Sequence, residues 1–177
     1  MTFRQLLRAT VLLCAGSASV LALVVVLRGY VDGEAGLVAV SGTWWVIASG
    51  IGIAVGRHDA ANPQIAAALA DARAADQLPE HRPVRTLLNR LWPVLVATFA
   101  SGAASLVLPQ VTGVASGFLL IWALAWRRQE QAVQAIEERD GVEFHVERTG
   151  LVEPLKLVRL PGLRKNRPEH KRQASSA

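Results

Sequence analysis

No charged side chain falls between Arg8 and Arg28, between Glu34 and Arg57, or between Arg90 and Arg127. Those intervals are residues 9–27, 35–56 and 91–126, and a helix needs about 20 predominantly apolar residues to cross a bilayer core. The first two fit one span each. The third, at about 1.5 Å per residue, would reach roughly 54 Å against a core of about 30 Å. Its middle reads Leu108-Pro109-Gln110-Val111-Thr112-Gly113, which is turn chemistry inside an apolar run. The chain therefore reads as an all-α membrane protein, a four-helix transmembrane bundle with spans at 9–27, 37–56, 91–108 and 112–127. A connection at 28–36 and a turn at 109–111 join them on one side, and a re-entrant hairpin over 91–127 is the alternative. Composition agrees: 51% of residues are hydrophobic and 19% charged, against about 25% charged in soluble proteins.

The first span is longer than a typical secretory h-region of about 7–15 residues, and its apolar run continues beyond any small-residue cleavage site. An uncleaved anchor is expected. Cys14, the single cysteine, has a bulky residue before it and reads as a small buried hydrophobe.

Lysine and arginine sort by side. All 19 except Arg28 lie in segment 1–8, in 57–90, or from Arg127 onward. Cytoplasmic loops collect these residues, so both termini and the 57–90 loop are expected inside a bacterial plasma membrane. Arg82, Arg85, Arg90, Arg127 and Arg128 fall at the level of anionic headgroups, where each basic residue contributes about 1 kcal/mol of surface attraction. This sorting accounts for the net charge of +5 and the pI near 10.3, and no nucleic-acid partner is expected. Trp92 and Trp126 mark the inner interface, while Trp44 and Trp45 lie deeper and read as lipid-facing, with a neighbouring helix as the alternative.

The glycines of Ser49-Gly50-Ile51-Gly52-Ile53-Ala54-Val55-Gly56 suggest a phosphate loop, but they sit inside an uncharged span with no soluble strand–turn–helix unit around them. Ala48, Gly52 and Gly56 read instead as a face that lets helices approach closely. Ala97, Ser101 and Ser105 form such a face on the third span, and Gly113 and Gly117 on the fourth. Packing within one chain is the simple use of these faces, and a homodimer face on Gly52 and Gly56 is the alternative.

No Asp, Glu, Lys, Arg or His lies inside a span before Arg127 closes the last one, and such residues mark proton relays and ion pathways. Small four-helix multidrug exporters resemble the chain in size and span count. They depend, however, on a carboxylate in the first membrane helix, and positions 10–27 offer none. A pore lined by Ser41, Thr43, Ser49, Thr98, Ser101 and Ser105 competes with hydroxyls that bond back to their own helices. His58, Asp59, Glu80 and His81 are zinc-ligand types without zinc-ligand spacing. No metal, cofactor or catalytic residue is assigned.

In the 57–90 loop, Asn62-Pro63 starts a short alanine-rich helix expected near the membrane surface. In 128–162, a helix continues the fourth span and stops at Gly141. Val142, Phe144 and Val146 then alternate with Glu143, His145 and Glu147, and a second apolar run reaches Leu160. Together they predict a small β-hairpin facing the cytoplasm, followed by a disordered basic tail over 163–177. Glu137-Glu138-Arg139-Asp140-Gly141-Val142, Val146-Glu147-Arg148-Thr149 and the run Pro154-Leu155-Lys156-Leu157-Val158-Arg159-Leu160-Pro161-Gly162 resemble uncharacterised small actinobacterial integral membrane proteins. That resemblance implies a bacterial membrane and no mechanism. The leading functional class is a non-enzymatic accessory or scaffold protein contacting a membrane-protein partner, or anionic lipid of the bilayer. An oligomeric transporter or channel component comes second, and an enzyme acting on a lipid-like substrate third.

Overall fold

The computed structural model of the chain describes residues 1–57, 62–74, 83–147 and 157–161. The elements are α1 (Phe3–Val31), α2 (Ala35–Val55), α3 (Pro63–Ala70), β1 (Arg73–Ala74), α4 (Pro83–Ala104), α5 (Pro109–Trp126), α6 (Gln129–Asp140), β2 (Val142–Val146) and β3 (Leu157–Pro161). The disordered tail expected over 163–177 lies outside the described residues.

Three helical stretches are long and apolar enough to cross a bilayer: Phe3–Val31, Ala35–Val55 and Pro109–Asp140. The expectation of four spans is corrected at α4. Its first turns carry Arg85, Asn89 and Arg90, and the helix ends at Ala104. The apolar part, 91–104, gives about 21 Å of helix, short of a core of about 30 Å. The α4 helix nonetheless runs the length of the bundle. Leu87 packs on the core beside the sheet. At the other end the Arg28 guanidinium donates to the carbonyls of Ser105 and Leu106 (3.4 and 3.5 Å).

The turn expected at 109–111 falls earlier, because Pro109 starts α5 instead of breaking a helix. At the first helical position a proline's missing N–H costs nothing. Leu108 N–H closes the turn on the Ala104 carbonyl (2.7 Å), and the Thr112 hydroxyl donates to Ser101 O (2.8 Å).

The α5 helix lies against both α1 and α2 along most of its length, whereas α4 touches α1 and α5 more lightly. Between α2 and α5 the glycines make the seam. A Cβ on Gly52 would stand 2.8 Å from Leu124 Cβ and 3.1 Å from the Ile121 backbone. On Gly56 it would stand 2.5 Å from the Leu124 carbonyl, and on Gly113, 2.5 Å from Ser41 Oγ. On Gly117 it would overlap the Trp44 indole. Those pairs advance together in number, so α2 and α5 run parallel. Trp44 and Trp45 are corrected from lipid-facing to helix-bridging. The Trp44 indole donates to Val114 O (3.1 Å), and that of Trp45 to Gly113 O (3.1 Å) and Ser116 Oγ (2.7 Å).

The main hydrophobic core lies at one end of the bundle. Phe3, Leu6 and Leu7 of α1, Ile65 and Leu69 of α3, Val133 of α6, and Phe144, Val146 and Leu157 of the sheet pack together there. Ile65 and Leu69 dock α3 on this core. The sheet order is β1-β3-β2, with β2 and β3 antiparallel (Phe144 opposite Arg159) and β1 parallel to β3. The expected hairpin is thus part of a larger sheet. Thr2 bridges to His145, and Val146 N–H donates to Met1 O (3.1 Å). Thr2 also caps α1: its hydroxyl accepts from Gln5 N–H, and Gln5 returns an acceptor to Thr2 N–H.

The seam predicts a contrast between neighbouring glycines. Gly52→Val should lower the unfolding midpoint in detergent by the equivalent of about 1–3 kcal/mol, the usual cost of overpacking. Gly50→Ala, where a Cβ meets nothing within 4 Å, should leave the midpoint unchanged or raise it. Equal effects at the two positions would contradict a packed α2–α5 seam.

Candidate functional site

Because α6 continues α5 through the turn at Arg127 and Arg128, it brings acidic residues onto the start of α1. Gly141 ends α6 in the left-handed conformation (φ 65°), donating to Glu137 O, and the chain turns directly into β2. This places the Glu137 carboxylate between three elements. One oxygen accepts from Phe144 N–H (3.0 Å), and the other stands 2.8 Å from Arg4 Nε. The carboxylate side chain is only 7% exposed, while that of Arg4 is 34% exposed. Burial pushes the Glu137 carboxyl above the ordinary carboxylate range, outweighing the Phe144 N–H and the Arg4 charge, which lower it.

In β2 the alternation of Val142, Phe144 and Val146 holds on the core face. His145, expected to face outward, is also buried. Neighbouring strand residues point to opposite faces, so burial of both Phe144 and His145 means the sheet is covered on both sides there. Across the strands the Arg159 guanidinium lies over the Phe144 ring, 5.7 Å from its centroid.

The residues singled out for close helix contact fall in three places. Ala48, Gly52, Gly56, Gly113 and Gly117 line the α2–α5 seam or its buried flank. Ser101 and Ser105 lie at the α4–α5 turn, where the Ser101 carbonyl accepts from Thr112 and the Ser105 hydroxyl donates to Gly102 O (2.6 Å). Ala97 is exposed. It lines a groove of about 470 Å³ between α1, α4 and α5.

Of the basic residues assigned to headgroups, Arg90 lines that same groove, Arg127 is exposed and Arg128 half-buried. Arg82 and the Arg85 side chain lie outside the described residues, as do His58, Asp59, Glu80 and His81. Among the described residues, no three His, Cys, Asp or Glu side chains gather in a group able to hold a metal ion. The hydroxyls of Thr43, Ser49 and Thr98 each donate to a carbonyl four residues back on their own helix (2.9, 2.7 and 2.7 Å).

Glu137 was legible only as one acid among several in 137–143. What distinguishes it is the strand that follows α6, which the Gly141 stop foreshadows. Its raised carboxyl pKa means the folded chain holds this proton more tightly than the unfolded chain. The associated stability is fully present below the ordinary carboxylate range and is lost as pH rises through the raised value. Glu137→Gln keeps an acceptor for Phe144 N–H and should flatten that part of the profile, measured by thermal unfolding between about pH 4 and about pH 8. Glu137→Leu strands the Phe144 N–H and should cost about 1–3 kcal/mol at every pH. A wild-type profile parallel to that of Glu137→Gln would contradict this account. Comparison with known proteins returns no matching family model, no matching curated protein and no matching solved structure.

Proposed function

We propose that the chain is a multi-pass protein of a bacterial plasma membrane, with both termini and the sheet end in the cytoplasm. There it acts as a non-enzymatic accessory or scaffold component, through contacts with a membrane-protein partner and anionic lipid. The observation that carries this reading is the sheet end itself. A folded element with its own core is joined to the start of α1 and to the continuation of α5, so a load or ligand on it is transmitted to the membrane helices. The one-sided distribution of lysine and arginine supports the orientation. Self-bonded hydroxyls on α2 and α4 weigh against a hydrated path along them.

Two measurements follow. A fluorescent protein fused at the C-terminus should be bright and an alkaline phosphatase fusion inactive; the reverse would invert the orientation. Extraction of the tagged full chain in mild detergent should recover a stoichiometric partner by mass spectrometry, lost on deletion of 141–162. A clean homo-oligomer without a partner would place the transporter or channel component first.

A further inference from the structure

The groove between α1, α4 and α5 is a consequence of how α4 packs. This helix makes only light contact with its neighbours, and Pro93 in its interior removes a helical hydrogen bond and disfavours a straight course. Ala97, one turn on, is too short to fill the gap. The volume, about 470 Å³, is that of a small-molecule site, which typically holds about 300–1,000 Å³. Leu7 and Cys14 of α1, Val94 and Ala97 of α4, and Trp122 of α5 form apolar wall. Trp122 is 55% exposed although it forms part of that wall, so the groove opens sideways from the bundle.

Polarity along the groove is graded. Among the described residues, Arg90 is the one charged side chain that lines it, and it lies toward the sheet end of α4. The lining on α1 starts at Phe3, Leu6 and Leu7, which also belong to the sheet-end core, and continues through Thr10 to Cys14 in the uncharged run. A cation at the sheet end followed by apolar wall on three helices is the polarity profile of an anionic phospholipid. Arg90 also makes an interaction within the protein. The planar fork offers five donors matched to phosphate oxygens.

We propose that this groove is a binding site for one anionic phospholipid of the leaflet at the sheet end, with an acyl chain along Ala97 and Cys14 and the phosphate on Arg90. It rests on the bilayer placement proposed above. The test reconstitutes the full chain into vesicles of equal parts phosphatidylglycerol and phosphatidylcholine, checks flotation, then extracts it gently and counts retained lipids by native mass spectrometry. One phosphatidylglycerol per chain is expected, favoured about fivefold over phosphatidylcholine, the ratio that about 1 kcal/mol from one basic residue supplies.

R90Q should abolish the preference, R90K should keep part of it, and A97W should fill the groove and displace the lipid while the unfolding midpoint holds. Equal retention of the two lipids, retention unaffected by A97W, or a second chain in place of lipid would overturn the site. Failure to float with the vesicles would overturn the bilayer placement as well, so the two failures are distinguishable.

Discussion

How closely other helices can approach α5 decides the bundle. In hydrocarbon, helix association gains little from excluding apolar surface, since lipid tails are as apolar as leucine; contact area and hydrogen bonds between helices supply the attraction. Both demand short distances. Gly52 and Gly56 bring α2 onto the backbone of α5 at one end, and Gly113 and Gly117 bring α5 onto Ser41 and Trp44 at the other. Proximity in turn lets the Trp44 and Trp45 indoles reach acceptors on α5. Interhelical bonds of this kind average about 0.6 kcal/mol and reach about 1.7, so dispersion along the seam contributes at least as much as the bonds.

The sheet end is held by a different physics. Its core excludes water, and burying Phe144, Val133 and Leu157 stabilises it in the ordinary way of a soluble domain. A single buried carboxylate, Glu137, organises the junction, accepting from β2 and pairing with α1. Desolvation weakens the net benefit of that pair, because the charged form is costly to bury even with partners. Geometry is what it secures: the carboxylate ties the end of α6 to β2 and to the start of α1. Thr2 completes the joint, since one residue both pairs with His145 and caps the first helix.

Between these two regions α4 is the loosely held member. Its glycine, Gly102, leaves only ordinary contact distance to Leu21 of α1 (3.9 Å), it carries Pro93, and its apolar stretch is too short to be a span in its own right. That same looseness leaves the groove that reaches from Arg90 toward Cys14. A helix that packed as closely as α2 would have closed it.

Several features were legible along the chain because they depend on neighbours in sequence. Uncharged runs of about 20 residues mark helices suited to lipid. Glycines spaced by four mark a face without side chains, and the alternation through Val142, Phe144 and Val146 marks a strand. What the tertiary structure decided depends on atoms far apart in sequence. Nothing local to Arg73-Ala74 signals a strand, because two residues form one only when β3 lies beside them. Met1 and Thr2 bond with β2, far along the chain, and Trp44 and Trp45 read as lipid-facing until α5 supplies carbonyls. Ala97 reads like the other small residues, yet it borders a groove and not a helix, because what a small side chain faces is set by where the neighbouring helix stands.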